Sequence, residues 1–356
     1  MPRCHVKRKA NVLFLLFAAI VVVPAASQET GGLDPAAPYD VVANWMKPIE
    51  SGVTTYVVGV FADSPDRILV QSTGATPEGQ NGPLNPTFDP KLPGSKLDHL
   101  MLVLDGNGRV VEEWRQWFPQ WGNPHVARIN PYDPERHVWF MDRASHQIFE
   151  FTRDGKRLVR TFGEKGVTAV DEKHFGRPAA IAWLPDGTFF VADGYQNRRI
   201  VKFDKNGNYV NAWGSEGKDP GQFGGTVHCV AVDPRSRRVY ACDSGNRRIQ
   251  VFDDNGTFLD QWAVPSASHI VVTQDQSVWV STTGPAGRMQ KHDSAGKLLT
   301  YWGTPGKLPG GFNNAHDFSV DSAGNLYIVQ AQNWRIEKYV PKPNADRSRL
   351  VGQPIK

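Results

Sequence analysis

An all-β fold, a six-bladed propeller, is what this 356-residue sequence predicts, on three observations. Units of about forty to fifty residues recur along the chain, the period at which propellers and solenoids are expected. Each unit breaks into short runs of alternating apolar and polar residues separated by Pro, Gly, Asp, Asn and Ser turns, the pattern of half-buried strands. Four histidines also stand at one position in four of the units. His125 opens HVARIN, His228 opens HCVAVD, His269 opens HIVVTQ and His316 opens HDFSVD, and five residues on, each run ends at Asn130, Asp233, Gln274 or Asp321. Long helical periodicity is absent.

The first unit starts YVVGVFADSPDRILVQSTG and, after an insertion, resumes at HLMLVLDGNGRVVEEWR. The second is NPHVARINPYDPERHVWFMDRASHQIFEFTRDGKRLVRTFG and the third GRPAAIAWLPDGTFFVADGYQNRRIVKFDKNGNYVNAWG. The fourth, GGTVHCVAVDPRSRRVYACDSGNRRIQVFDDNGTFLDQWA, is the clearest; SASHIVVTQDQSVWVSTTGPAGRMQKHDSAGKLLTYWG is the fifth. Turns such as DGK, KNGN and DNGT join adjacent strands as hairpins. The sixth unit, NNAHDFSVDSAGNLYIVQAQNWRIEKYV, runs out after its third strand. Residues 39–45, YDVVANW, could supply the missing outer strand, tying the termini together and leaving only short protected edges. The Pro/Gly-rich stretch 73–94 is either a loop that shapes a site or a disordered excursion.

The expected organisation is a signal segment at 1–27, a linker at 28–38, the propeller at 39–342 and a C-terminal tail at 343–356. Arg3, Lys7, Arg8 and Lys9 form a basic start, an apolar run follows from Ala10 to Ala26, and Ala25-Ala26-Ser27 offers small residues for cleavage. The run contains Pro24 and is short against the roughly 20 apolar residues of a spanning helix, so cleavage is favoured over an uncleaved anchor. A secreted, periplasmic or extracellular monomer without stable membrane association is the expectation. The whole chain holds 40 Lys+Arg and 36 Asp+Glu; removing four basic residues with the signal leaves 36 of each. A neutral mature protein argues against nucleic acid, which binds basic patches.

Cys4 leaves with the signal, and Cys229 and Cys242 remain on consecutive strands. The turn at 234–237 places them opposite one another, so an oxidising compartment would favour a disulfide. A pair of buried thiols is the alternative.

Blades two, four and six of a closed six-bladed ring lie about 120 degrees apart. His125, His228 and His316 would therefore present three nitrogens to a central ion and leave a coordination position open, the catalytic pattern for zinc. Such an ion polarises an oxygen or lowers the pKa of water. A lone histidine on a strand is ordinarily structural; four in register point to a metal. His269 breaks the threefold pattern and is a further pore ligand, a proton carrier or an unrelated pore-lining residue. Cys229 follows His228 and so points to the other face. Tyr195 follows a glycine in the turn leaving a strand; it is a general base, an orienting hydroxyl or an ordinary rim aromatic. Asp317 should point away from the pore centre, as a ligand of an oxygen-bound cation or a carboxylate paired with a nearby Arg. Asp142, Asp193 and Asp243 are expected to cap turns and pair with residues such as Arg199 and Arg248. Trp114, Trp117, Phe118 and Trp121 make a sticky rim or pack between blades. No phosphate loop, G-x-S-x-G elbow, hydrolase-triad spacing or haem motif is present.

WGSEGKDPGQF followed by VYACDSGNRRIQVFDDNGTFL closely resembles the NHL-repeat consensus, and the resemblance runs over roughly residues 57–340. Within that class NPHVARIN, DRASHQIFEF, ADGYQNRRIVKF and AHDFSVDSAGNLYI together resemble the peptidyl-hydroxyglycine amidating lyases, which are secreted six-bladed propellers. The resemblance implies zinc on His125, His228 and His316, a catalytic Tyr195, and a structural calcium on Asp317 and the main-chain carbonyls of Val60 and Ala127. It implies an N-substituted hydroxyglycine, small molecule or peptide, split at the top face into an amide and glyoxylate. Two arginines of that family, which serve the substrate carboxylate and catalytic hydroxyls, are missing. One falls on Thr73 or Ser72, the other on Ser244. Arg143, directly after Asp142, is a candidate to point into the same mouth. The alternative is a non-enzymatic propeller that binds a peptide, glycan or protein partner. A metal-dependent hydrolase using the same histidine tripod ranks last, because lactonase-like propellers rely on Asp, Asn and Glu around calcium and the axis carries no such acidic set.

Overall fold

The computed structural model describes residues 1, 34–49, 52–77, 91, 93–284 and 287–355. The expected signal segment and most of the 28–38 linker and of the 73–94 insertion lie outside the described residues.

Six four-stranded antiparallel sheets form the propeller. Blades 1 to 6 open on the inner strands Val53–Ser64, Pro124–Ile129, Ala180–Trp183, Val227–Asp233, Ala267–Val272 and Ala315–Val320. Burial falls from the axis outward. In blade 2 the second strand, Val138–Asp142, is buried throughout, whereas the outermost, Leu158–Phe162, is half-buried.

The apolar cores lie between blades, as they must when each thin sheet is stabilised only by the faces of its neighbours. Phe190, Ala192 and Ile200 of blade 3 pack on Val230, Val232 and Val239 of blade 4. Leu69, Met101 and Val103 of blade 1 meet Ala127, Phe140 and Phe151 of blade 2. Trp114 and Trp121 are buried in that same seam, Trp121 stacked on Phe140 at 4.0 Å, while Trp117 and Phe118 are half-buried in the 3-10 turn Arg115–Gln120. The four-aromatic run is thus mostly interblade packing.

Tyr39–Val42 completes blade 6, pairing Tyr39 with Pro341 and Val42 with Lys338. Tyr39 packs against Trp302 at 5.3 Å, and its hydroxyl accepts a 2.9 Å bond from the Val351 N–H. Residues 343–355 return beneath the ring; Ile355 N–H donates to Val272 O (2.9 Å), and Thr273 bridges Pro354. Cys229 and Cys242 form a disulfide between the first two strands of blade 4, with Cα atoms 5.1 Å apart. No helix among the described residues is long and apolar enough to cross a membrane.

A feature that strict alternation along a strand does not anticipate positions the pore. The inner strand breaks register at the histidine in blade 2 (Pro124/Ala127), blade 4 (Val227/Val230), blade 5 (Ala267/His269) and blade 6 (Ala315/Asp317). Of the two inner strands without a histidine, that of blade 3 pairs regularly and that of blade 1 also breaks register, at Thr55/Val57, Val57/Gly59 and Ala62/Ser64. Such bulges re-aim a side chain. The shifted backbone also brings strands close: a Cβ at Gly59 would lie 2.6 Å from His125 O, so only glycine fits there.

Closure through the N-terminal strand predicts that Tyr39→Ala lowers the unfolding free energy by about 3 kcal/mol. Val42→Ala, at an exposed position of the same strand, should change it by less than about 0.5 kcal/mol. Urea denaturation of the two variants measures the difference.

Candidate metal centre

His125, His228 and His316 converge on the axis, and their ligand atoms all lie within 4.8 Å of one another. Ring centroids are 5.1, 5.0 and 4.7 Å apart, with planes at 81°, 84° and 88°. Each Nδ1 meets a main-chain carbonyl of the next blade: His125 that of Ala179 (2.6 Å), His228 that of Ser268 (2.6 Å), His316 that of Val58 (2.7 Å). A carbonyl oxygen can only accept, so Nδ1 carries the proton and Nε2 presents its lone pair to the axis.

His228 Nε2 and His316 Nε2 stand 3.1 Å apart. Two lone pairs cannot hydrogen-bond to one another; they can share a cation. Protonation is a poor remedy. Burial pushes His228 down to about 3 and His316 to about 4, and His125 well below its ordinary range, with the Arg143 charge adding to the effect at each. Three neutral imidazoles, oriented by carbonyls behind them, could hold a metal ion with a position left open. Two further clusters, Asp98–His99–Glu113 and Asp133–His137–Glu150, bring carboxylates to a histidine. Both contain close carboxylate–imidazole pairs, at 2.8 Å each, and lie away from the pore.

Tyr195 follows Gly194 at the end of the strand Phe189–Asp193, and its hydroxyl lies 3.0 Å from His125 Nε2. The Arg143 guanidinium sits over its ring, 4.7 Å from the centroid. Burial raises the phenol's pKa, and Arg143 pulls it back down. Asn123 Oδ1 accepts from both Nε (2.9 Å) and Nη2 of Arg143, which fixes the fork. The cavity above the tripod, about 390 Å³, is lined by Tyr195, Arg143, Tyr56, Asn123 and hydroxyl side chains, Thr73 and Ser244 among them. Ser72 instead donates to His99 O (2.7 Å), so of the two first-blade candidates it is Thr73 that faces the cavity. Arg143 is its guanidinium among the described residues.

Asp193 and Asp243 each bind a main-chain N–H together with Arg199 or Arg248, and Asp142 binds the N–H groups of Gly122, Asn123 and Ser145. They hold turns, as their sequence context suggests. His269 is not part of the three-histidine cluster. Its Nε2 lies 3.4 Å from Arg128 Nη2 and its Nδ1 3.6 Å from Asp317 Oδ1, with the ring edge-on to Phe318.

Asp317 Oδ2 accepts from the Val60 N–H (2.9 Å), and Oδ1 accepts from Arg128 Nη2 (2.6 Å). Arg128 Nη1 donates to Ala127 O (2.9 Å) and Val60 O (3.4 Å). The three oxygens expected to bind calcium are therefore engaged by a guanidinium, which takes the place a calcium ion would need. Sequence reasoning passed over Arg128, although a basic residue inside HVARIN, an otherwise apolar inner strand, was the available signal.

No family model matches the chain. It is 30% identical over 286 residues to peptidyl-alpha-hydroxyglycine alpha-amidating lyase 1 of Drosophila melanogaster, covering 71% of this chain and 51% of that protein. It is 27% identical over 224 residues to a probable peptidyl-alpha-hydroxyglycine alpha-amidating lyase of Caenorhabditis elegans, covering 60% and 62%. The chain thus spans between half and two thirds of the length of these relatives. Among solved structures, a streptogramin B lyase superposes with a TM-score of 0.55 at 10% identity, covering 85% of this chain and 98% of that one, a likeness of fold alone.

The depressed histidines give the metal-free chain a pH signature. Unfolded imidazoles take up protons below about 6.5, whereas His316 and His228 stay neutral until about 4 and about 3. The unfolded state then binds more protons, so stability present at neutral pH is lost as pH falls through that window. Thermal melts of chelator-treated protein at stepped pH should show the decline, and His228→Gln should flatten it. Melts indifferent to pH between 6.5 and 4 would mean that the rings are not held neutral.

Proposed function

Because the chain is a homologue of the peptidyl-alpha-hydroxyglycine alpha-amidating lyases, we propose that it is a secreted, metal-dependent lyase that splits an N-acyl or peptidyl α-hydroxyglycine into an amide and glyoxylate. The observation that carries this reading is the convergence of three Nε2 lone pairs, fixed by carbonyls of the neighbouring blades, beside the Tyr195 hydroxyl. The nitrogen set suits zinc, and zinc bound there would supply Lewis-acid polarisation of a substrate oxygen.

The chain's own residues do the rest. Arg143, with its fork fixed by Asn123 and facing the cavity, pairs with the substrate carboxylate and takes over the task of the arginines replaced by Thr73 and Ser244. The Tyr195 phenol carries the proton. The hydroxyl O–H bond breaks, its electron pair forms the aldehyde C=O, the C–N bond breaks, and the proton ends on the amide nitrogen. Burial keeps the phenol protonated at rest, and the Arg143 charge eases its ionisation during the transfer. The Cys229–Cys242 disulfide suits an oxidising compartment, in keeping with the N-terminal signal read from the sequence.

Purified mature protein should turn over a hydroxyglycine derivative, lose the activity to a chelator and regain it with zinc. His316→Ala should lose both metal and turnover. Tyr195→Phe should keep the metal and lose about 10²- to 10⁴-fold in kcat, and Arg143→Met should lower kcat/KM by about 10- to 100-fold. Full turnover in the metal-stripped chain sinks the reading; a zinc-loaded chain inert toward every hydroxyglycine tested favours a binding propeller instead.

A further inference from the structure

We infer that Arg128 is a built-in cation standing in for a structural calcium, and that it joins blades 6, 1 and 2 below the tripod without any metal. Three oxygens meet there from separate parts of the chain: the Asp317 carboxylate of blade 6, Val60 O of blade 1 and Ala127 O of blade 2. Such a set, one carboxylate and two carbonyls, suits a hard cation. Here the guanidinium makes contact with all three.

The charges and hydrogen bonds of this arrangement close among themselves. Arg128 and Asp317 are buried, at 8% and 1% exposure, and form a direct ion pair. A buried pair is tolerated only when its remaining donors and acceptors are also met. Asp317 receives the Val60 and Phe318 N–H groups, and Arg128 reaches both carbonyls. A divalent ion would have to displace a tethered positive charge that already neutralises its only carboxylate. Asp317 and Val60 are 257 residues apart, so the cluster fastens the last repeat to the first.

The guanidinium comes from the same strand as one of its own acceptors, Ala127, so the cation is delivered when that strand folds. A metal-dependent joint would instead follow the calcium concentration of its surroundings. The site is separate from the lyase reading, and its test does not depend on turnover.

The test is thermal unfolding of the mature chain in calcium-free buffer and in millimolar calcium, with zinc held constant, together with elemental analysis. The wild-type chain should retain no calcium and melt at one temperature in both buffers. Arg128→Ala should melt about 5 °C lower without calcium, bind calcium, and recover part of the loss when it is added. Arg128→Thr is the second variant should Arg128→Ala not fold. A wild-type chain that keeps stoichiometric calcium, with a stabilisation that Asp317→Asn abolishes, overturns the inference. So does a folded Arg128 variant whose melting ignores calcium.

Discussion

Three hydrogen bonds that cross blade boundaries underlie everything at the axis: Nδ1 of His125, His228 and His316 to the carbonyls of Ala179, Ser268 and Val58. Each is worth only about 1 kcal/mol, but together they choose the tautomer and aim three lone pairs inward. Blades 3, 5 and 1 supply the acceptors and blades 2, 4 and 6 the rings. The arrangement exists only when the ring is closed, and Tyr39–Val42, far from the axis, completes the last blade of that ring.

Two guanidiniums flank the tripod and are handled differently. Below, Arg128 is neutralised by Asp317 and satisfied by carbonyls. Above, Arg143 is held by the neutral amide of Asn123 and keeps its charge directed at the cavity and the Tyr195 ring. Arg143 thus gives the mouth a positive charge while the charge at the floor is neutralised, an asymmetry in keeping with the substrate carboxylate proposed above. Burial, with the same positive field adding to it, keeps the histidines unprotonated, the state a metal requires.

The bulges explain how so regular a scaffold carries so particular a site. A pleated strand sends neighbours to opposite faces. Each histidine sits where that alternation is interrupted, and in blade 6 the shift sets His316 toward the axis while Asp317 reaches Arg128 and blade 1.

Repeat period, turn chemistry and the shared position of the histidines were enough to specify the blades, the N-terminal strand that completes the last of them, the facing cysteines and the three axial imidazoles. These are legible because period and alternation are local properties, and a closed ring converts equal positions into convergence. Arg143 could be singled out by its place after Asp142, but not the Asn123 that fixes it. Tertiary structure alone settled that His269 keeps company with Arg128 rather than with the tripod, that Thr73 and not Ser72 lines the cavity, and that a guanidinium takes the oxygens expected for calcium. Each of these turns on an ångström-scale choice among residues tens or hundreds of positions apart, which no local pattern encodes.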